Sequence, residues 1–336
     1  MGTTTALDQP GPQRGGGVRS LLANPASLSD FGPLLALILA GVYFTTQSDR
    51  FLSGANLSLV VQQSMVVGVL AIGQTLIILT AGIDLSCGAV MALGNIVMTR
   101  EAAEAGLNPY LAIVLGLGAC TVFGLLNGLL ITRINLPPFI VTLGTLNIAF
   151  ALTHIYSRER TVTNVPDEHL YFGNVFRIGD TRITYGMVVM FALFLLFWFI
   201  LSQTTLGRHI YAVGNNPEAT RLTGINTGRL LLIVYTVAGF LYGIAAMLLV
   251  ARTGVGDPNA GQTDNLSSIT AVVLGGTSLF GGRGAILGTL VGVLIVGVIR
   301  NGLQLIGVGA VYQILVTGIL VIVAVAVDQL SRRGRR

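Results

Sequence analysis

The chain is 336 residues long, 53% apolar and only 10% charged, with a formal net charge of +5. Soluble globular proteins carry roughly 25% charged residues, so this composition excludes an ordinary soluble enzyme. The chain holds arginine and no lysine, which rules out a G-x-x-x-x-G-K-[ST] phosphate loop and a Schiff-base lysine and assigns any ATP hydrolysis to another chain.

Residues 1–30, with Pro10, Pro12 and the glycines Gly15 to Gly17, read as a polar, flexible cytoplasmic arm and not as a signal peptide, because the first apolar run begins only at Phe31. Ten apolar runs follow, at 31–46, 58–80, 81–99, 109–131, 138–156, 184–202, 230–252, 267–281, 285–300 and 311–329. Their lengths suit helices that cross a bilayer. The sequence therefore predicts an all-α polytopic membrane domain over 31–329 with about ten transmembrane helices, followed by a basic tail over 330–336. With the N-terminus inside, eleven arginines face the cytoplasm and eight face out. That modest positive-inside bias puts both termini in the cytoplasm. The arginines fall singly between the runs or in the tail, so topology accounts for them and no nucleic-acid partner is expected.

Glycines recur at four-residue spacing in Gly124 and Gly128, Gly239 and Gly243, and Gly284, Gly288 and Gly292. Such faces let helix backbones approach closely in lipid. Cys87 and Cys120 read as small packing residues. Ionisable groups are nearly absent from the runs, and neutral polar ones take their place: Gln62, Gln63, Ser64, Gln74 and Thr75, then Asn95, Asn127, Thr142, Thr145 and Asn147, and near the end Asn301, Gln304 and Gln313. Amides and hydroxyls donate and accept, which suits a hydroxyl-rich neutral solute in a wet cleft, although the same groups can bond helix to helix. Gln74, Asp84, Asn95, Thr145, Asn147 and Asn301 are the candidates for a translocation pathway.

Three places interrupt the runs. At Gly82-Ile83-Asp84-Leu85-Ser86 a break falls near or within the membrane level, and a lone Asp84 there should cap a helix or line water. At Pro137-Pro138 a helix should start sharply. The stretch Gly275 to Gly284 reads as a tight hairpin or re-entrant turn.

The cytoplasmic stretch 203–229 carries its own folding signals. Asn215 or Asn216 can cap a helix, Pro217 fits its first position, Glu218 complements the positive end and Gly224 stops it. A short surface helix bracketed in this way suits docking.

These residues resemble one family, the membrane-spanning permease subunits of bacterial ABC importers of the ribose type. The resemblance rests on Ile78 to Ser86, Asn127-Gly128-Leu129, Pro137 to Thr145, Gly214 to Ala219, Arg221 to Ile225, Ala271 to Ser278 and Gly281 to Gly284, in the family's order over about residues 30 to 330. It departs from the family's pattern at Cys87 and Phe280, and the arm lies outside it. The resemblance implies a homodimeric importer core in the bacterial inner membrane, fed by an extracytoplasmic sugar-binding protein and driven by a separate cytoplasmic ATPase. ATP and magnesium would belong to that ATPase, with no cofactor on this chain. Residues 215 to 225 would be the coupling helix, contributed by Asn215, Asn216, Pro217, Glu218, Ala219, Arg221, Leu222 and Gly224. Ribose, xylose, arabinose, galactose or a polyol would all suit the neutral amides, with selectivity set largely by the binding protein.

Two other functions compete. A secondary active sugar carrier needs a buried carboxylate or histidine relay, and only Asp84 and His154 come near the runs. An intramembrane hydrolase lacks an H-E-x-x-H motif or paired aspartates, and His154, His169 and His209 are scattered, so no metal site is expected.

Overall fold

The computed structural model describes residues 25–179 and 181–333. The arm as far as residue 24 and the last three residues of the basic tail lie outside the described residues. The chain divides into two units, Met1–Gly32 and Pro33–Arg336, and the helices that form the bundle lie in the second.

Helix α1 (Pro25–Gln47) is followed by α2 (Gly54–Leu79), α3 (Cys87–Ala103), α4 (Pro109–Arg133) and α5 (Pro138–Ser157). A connecting segment then holds α6 (Asp167–Leu170), a 3₁₀ turn (Tyr171–Gly173) and the strands β1 (Val175–Ile178) and β2 (Thr181–Thr184). After it come α7 (Tyr185–Gln203), α8 (Thr205–Asn215), α9 (Pro217–Leu222), α10 (Thr227–Thr253), α11 (Asp264–Leu274), α12 (Ile286–Leu305) and α13 (Ala310–Arg333). Among the described residues, six helices are long and apolar enough to cross a membrane: α2, α4, α5, α7, α10 and α12. Gly32–Gln47 and Ala310–Ala326 form shorter apolar helices.

Two predicted runs take a different form. The run 81–99 becomes a 17-residue helix starting only at Cys87, and the run 267–281 becomes an 11-residue helix ending at Leu274. The first displacement has a local cause. Helix α2 closes with the Ala81 amide bonded to the Ile78 carbonyl (2.9 Å) and the Gly82 amide to the Ile77 carbonyl (3.0 Å), a Schellman ending with Ala81 left-handed at φ 62°. Gly82 itself is held by sterics, since a Cβ there would lie 2.6 Å from the Tyr235 hydroxyl.

Helices α2 and α10 form the centre, with two thirds of their apolar windows buried, against about a third or less for α4, α5 and α7. The outer helices turn side chains such as Leu195 and Phe199 outward, where lipid or another chain can cover them. The predicted small-residue faces mediate close helix packing. A Cβ on Gly124 of α4 would lie 2.8 Å from the Gly239 Cα of α10, and one on Gly243 would lie 2.9 Å from the Leu117 Cα. Gly288 and Gly292 likewise meet Gly275 and Ala271, whereas Gly284 lies in the loop before α12 and not on its face.

An all-α reading requires one correction. Strands β1 and β2 pair antiparallel with Arg177 opposite Arg182, turning through Gly179 at φ 59°. These four-residue strands, rich in β-branched and aromatic residues, sit inside a charge-dense stretch that hides their alternation. The hairpin is tied to the bundle where the Ser58 hydroxyl donates to the Arg182 carbonyl. Nearby, His169 is buried with Nε2 3.2 Å from the Met98 carbonyl, and desolvation lowers its pKa below the usual imidazole value.

Candidate functional site

The break between α2 and α3 is the polar hub of the bundle. Residues 83 to 85 lie outside any helix, so their carbonyls need partners from elsewhere. Three different helices supply them: Thr142 of α5 donates to Ile83 (3.1 Å), Gln74 of α2 to Asp84 (2.6 Å) and Asn265 of α11 to Leu85 (3.2 Å). The Asp84 carboxylate accepts from the Ser86 amide (2.7 Å) and hydroxyl (2.6 Å) and from the Tyr242 hydroxyl (3.1 Å), while Asn127 donates to the Ser86 hydroxyl (3.2 Å). Ser86 is the residue at the start of α3, and Asp84 organises the turn into it without capping the helix directly.

The predicted surface helix is α9. The Asn216 side chain accepts from the Ala219 amide (3.0 Å), Pro217 holds the first helical turn, and the chain leaves through Thr223 and the left-handed Gly224 at φ 87°. Asn215 closes the preceding helix α8, which the sequence signals do not separate from the loop. Glu218 and Arg221 pair with each other at 3.2 Å and stay exposed, Leu222 is 84% exposed, and Thr220 is buried against the bundle.

Helix α8 fixes this element to the hub. Gly214 lies so close to the Leu79 carbonyl that a Cβ would collide with it, and that same Cβ would meet the Gly282 amide nitrogen at 2.5 Å. The Gly282 amide donates to Leu79 (2.9 Å), the Tyr211 hydroxyl to the Gly284 carbonyl (2.9 Å). Gly282 also needs its left-handed φ of 70°, and a Cβ there would be 2.9 Å from the Asn215 Cα. The glycine-rich stretch 275–284 is thus a tight turn wedged between α8 and the end of α2.

A polar cavity of about 630 Å³ opens at the other end of α2. Its polar lining is Gln62 and Gln63 of α2, Arg252 of α10, Arg300 and Gln304 of α12 and Gln313 of α13. Arg252 donates to the Gln63 carbonyl (3.2 Å), Gln63 Nε2 lies 3.5 Å from Gln304 Oε1, and Arg300 lies 4.0 Å from Asp264. Gln63 Oε1 is buried without a protein donor. Sixteen residues separate Gln63 from Leu79, so the cavity and the α8 contact are about 24 Å apart along α2.

The candidate pathway residues do not share one place. Gln74 and Asp84 meet in the hub. Asn301 is buried and accepts from Asn56 (3.0 Å), Thr145 is buried and donates within its own helix to Val141 (3.1 Å), and Asn95 is buried with both amide atoms unpartnered. Asn147 lies on an exposed face and bonds the Leu143 carbonyl (2.9 Å). The cavity brings together Gln62, Gln63, Gln304 and Gln313, all visible as amides in apolar runs, with Arg252 and Arg300, which in the sequence stand out only as topology markers.

Comparison with known proteins matches residues 56–325 to the family described as branched-chain amino acid transport system / permease component. The fructose import permease protein of Rhizobium meliloti is 43% identical over 320 residues, covering 93% of this chain and 88% of that one. The ribose import permease protein of Bacillus subtilis (strain 168) is 38% identical over 304 residues, covering 90% and 93%, and that of Escherichia coli (strain K12) is 38% identical over 297 residues, covering 88% and 92%. No solved structure matches the chain. With these relatives and its apolar helices, the chain is a multi-pass membrane protein and a transport component. It belongs to the permease-component family, in the branch of ribose-type monosaccharide ABC import permeases.

Proposed function

We propose that this chain is the membrane-spanning subunit of an ATP-driven importer that carries a monosaccharide or related polyol across the bacterial inner membrane. It works as a homodimer with both termini cytoplasmic, crossing about ten times once the short apolar helices and α3 and α11 are counted with the six long spans. A separate ATPase holds ATP and magnesium on the cytoplasmic side, and an extracytoplasmic binding protein delivers the solute. Relatives named for fructose, ribose, allose and galactose support a monosaccharide.

The observation that carries this reading is the backbone contact from the end of α8, which leads straight into α9, to the end of α2. An exposed helix with a capped start offers Glu218, Arg221 and Leu222 to a partner. The residues leading into it, Gly214 and Asn215 at the end of α8, abut Gly282 and Leu79 through main-chain and Cβ atoms that leave little room to absorb motion. Displacement of α9 by the ATPase therefore reaches the end of α2, and the hub shares it among α2, α5 and α11 through Gln74, Thr142 and Asn265.

The secondary-carrier reading is separated by one experiment. In vesicles with the partner ATPase and binding protein, uptake should persist when the proton gradient is collapsed. Replacing Glu218 and Arg221 together by alanine should leave the permease folded and abolish uptake and the stimulation of the ATPase by loaded binding protein. Uptake lost with the gradient favours a carrier, and a double variant with normal uptake makes α9 a mere connector.

A further inference from the structure

The cavity at the far end of α2 combines features that packing alone does not require. Its two arginines stand in a chain whose apolar helices almost lack charge, and Asp264, at 4.0 Å from Arg300, is the single carboxylate paired with them in that neighbourhood among the described residues. Arg252 is turned onto the Gln63 main chain, a carbonyl in the interior of a helix. Gln63 Oε1 is enclosed and has no protein donor, a costly state for a buried acceptor unless something brings it an O–H or N–H. At about 630 Å³ the cavity falls in the ~300–1,000 Å³ range of small-molecule sites.

The chemistry of the lining identifies a ligand class. A guanidinium presents paired N–H donors to two neighbouring oxygens, and each glutamine offers one acceptor and one donating group. Adjacent ring hydroxyls, each both donor and acceptor, match that set. A protonated amine does not, because two arginines against one carboxylate leave the cavity with an excess of positive charge.

We propose that this cavity is a recognition site for a neutral ring-form sugar within the permease itself, with Arg252 and Arg300 donating to adjacent hydroxyls and Gln63 and Gln304 completing the set. The proposal rests on the transport reading above. It adds that the permease takes part in choosing the solute and rejects a protonated amino sugar of the same ring size. Selectivity is then shared with the binding protein.

Thiol labelling tests it without relying on transport. Cys87 and Cys120 are buried, so a Gln62→Cys variant of the full chain, at a lining position outside the proposed hydrogen-bonding set, supplies the reactive thiol. D-Ribose, D-fructose and D-galactose are the probes, and D-glucosamine is the charged counterpart. At least one neutral sugar should slow labelling by a small polar thiol reagent, and glucosamine should not. Adding Arg252→Gln should weaken protection about tenfold, the scale of one lost charge-assisted hydrogen bond. Ratios of ATP-driven uptake among the neutral sugars should also shift in Gln63→Leu and Arg300→Gln, while Leu195→Ala, at an exposed position away from the cavity, keeps them. Where Gln63→Leu fails to insert, Gln313→Ala at the same cavity replaces it. Absence of protection by every neutral sugar, equal protection by glucosamine, or unchanged uptake ratios overturns the proposal. Wild-type protein that imports none of the sugars with ATP overturns the function reading instead, and the labelling result then still decides the cavity.

Discussion

The two ends of α2 are built on opposite plans. At the Leu79 end, backbone meets backbone: Gly214, Gly282 and Leu79 approach without intervening side chains, and the hub carbonyls of residues 83 to 85 are each taken by a separate helix. At the Gln63 end, long flexible side chains border open volume, with bonds at 3.2 and 3.5 Å and an acceptor left over. Close-packed, saturated contacts transmit displacement because they cannot yield; loose polar side chains can exchange partners. One helix thus joins a stiff end suited to receiving force and a compliant end suited to meeting solute.

The strongest way to break this comparison is to add volume at the stiff end. Gly214→Val would drive its side chain into the Leu79 carbonyl, and ATP-coupled uptake should disappear with a clear loss of thermal stability. Gly118→Ala is the counterpart: a Cβ there has nothing within 4 Å, so stability should hold or rise by up to about 1 kcal/mol, the helix-propensity gain. Equal losses in the two variants, measured by thermal unfolding in detergent, would mean that the close contact at Gly214 is unimportant.

A somewhat smaller effect is expected at the hub. Asp84→Ala leaves the Ser86 amide and hydroxyl and the Tyr242 hydroxyl without their acceptor, and stability should fall by about 3 kcal/mol. Asp84→Asn keeps an acceptor for Ser86 and should lose less. If alanine and asparagine behave alike, the carboxylate does not organise the break.

Asn95 sharpens the comparison from the other side, as an amide at 0% exposure with neither polar atom partnered. Asn95→Leu should raise stability by about 1–2 kcal/mol, because an unmade buried hydrogen bond is removed. A stabilised variant that no longer transports would put Asn95 on the solute's route; one that transports normally assigns it to packing.

The smallest expected effect is one of pH. His169 has its pKa lowered, chiefly by burial, from the ordinary 6.5, so the unfolded chain takes up a proton that the folded one refuses. Its contribution is complete above about pH 6.5 and is lost as the pH falls below that value toward the folded pKa. Thermal melts between pH 5 and 7 should show a decline on acidification that His169→Gln reduces. An identical slope in both would exclude His169 as its source.

Much of the stiff end is legible in the amino-acid sequence, because its signals are local. Asn216, Pro217 and Gly224 bracket α9 within a few residues, Pro138 starts α5, and the spacing of Gly124 with Gly128 and Gly239 with Gly243 marks close helix contact. Helix α8 escapes such a reading because its Thr, Gly, Arg and Asn residues read as part of the connecting loop after Gln203, and the β1–β2 hairpin because charge density outweighs two very short alternations.

Composition, hydropathy period, capping residues and small-residue spacing are written along the chain, and they determine by themselves a helical membrane bundle with a capped surface helix. Tertiary structure alone decides which polar groups satisfy one another and which are left over. Gln74 and Gln63 lie on the same helix and look alike in sequence, yet one closes the Asp84 carbonyl in a buried hub and the other faces a cavity with Arg252 and Gln304. An amide's role depends on which partners arrive within hydrogen-bond reach, whether across the break that follows its own helix, as Asp84 does for Gln74, or from distant helices, as Arg252 and Gln304 do for Gln63, and those distances are set by how the helices pack.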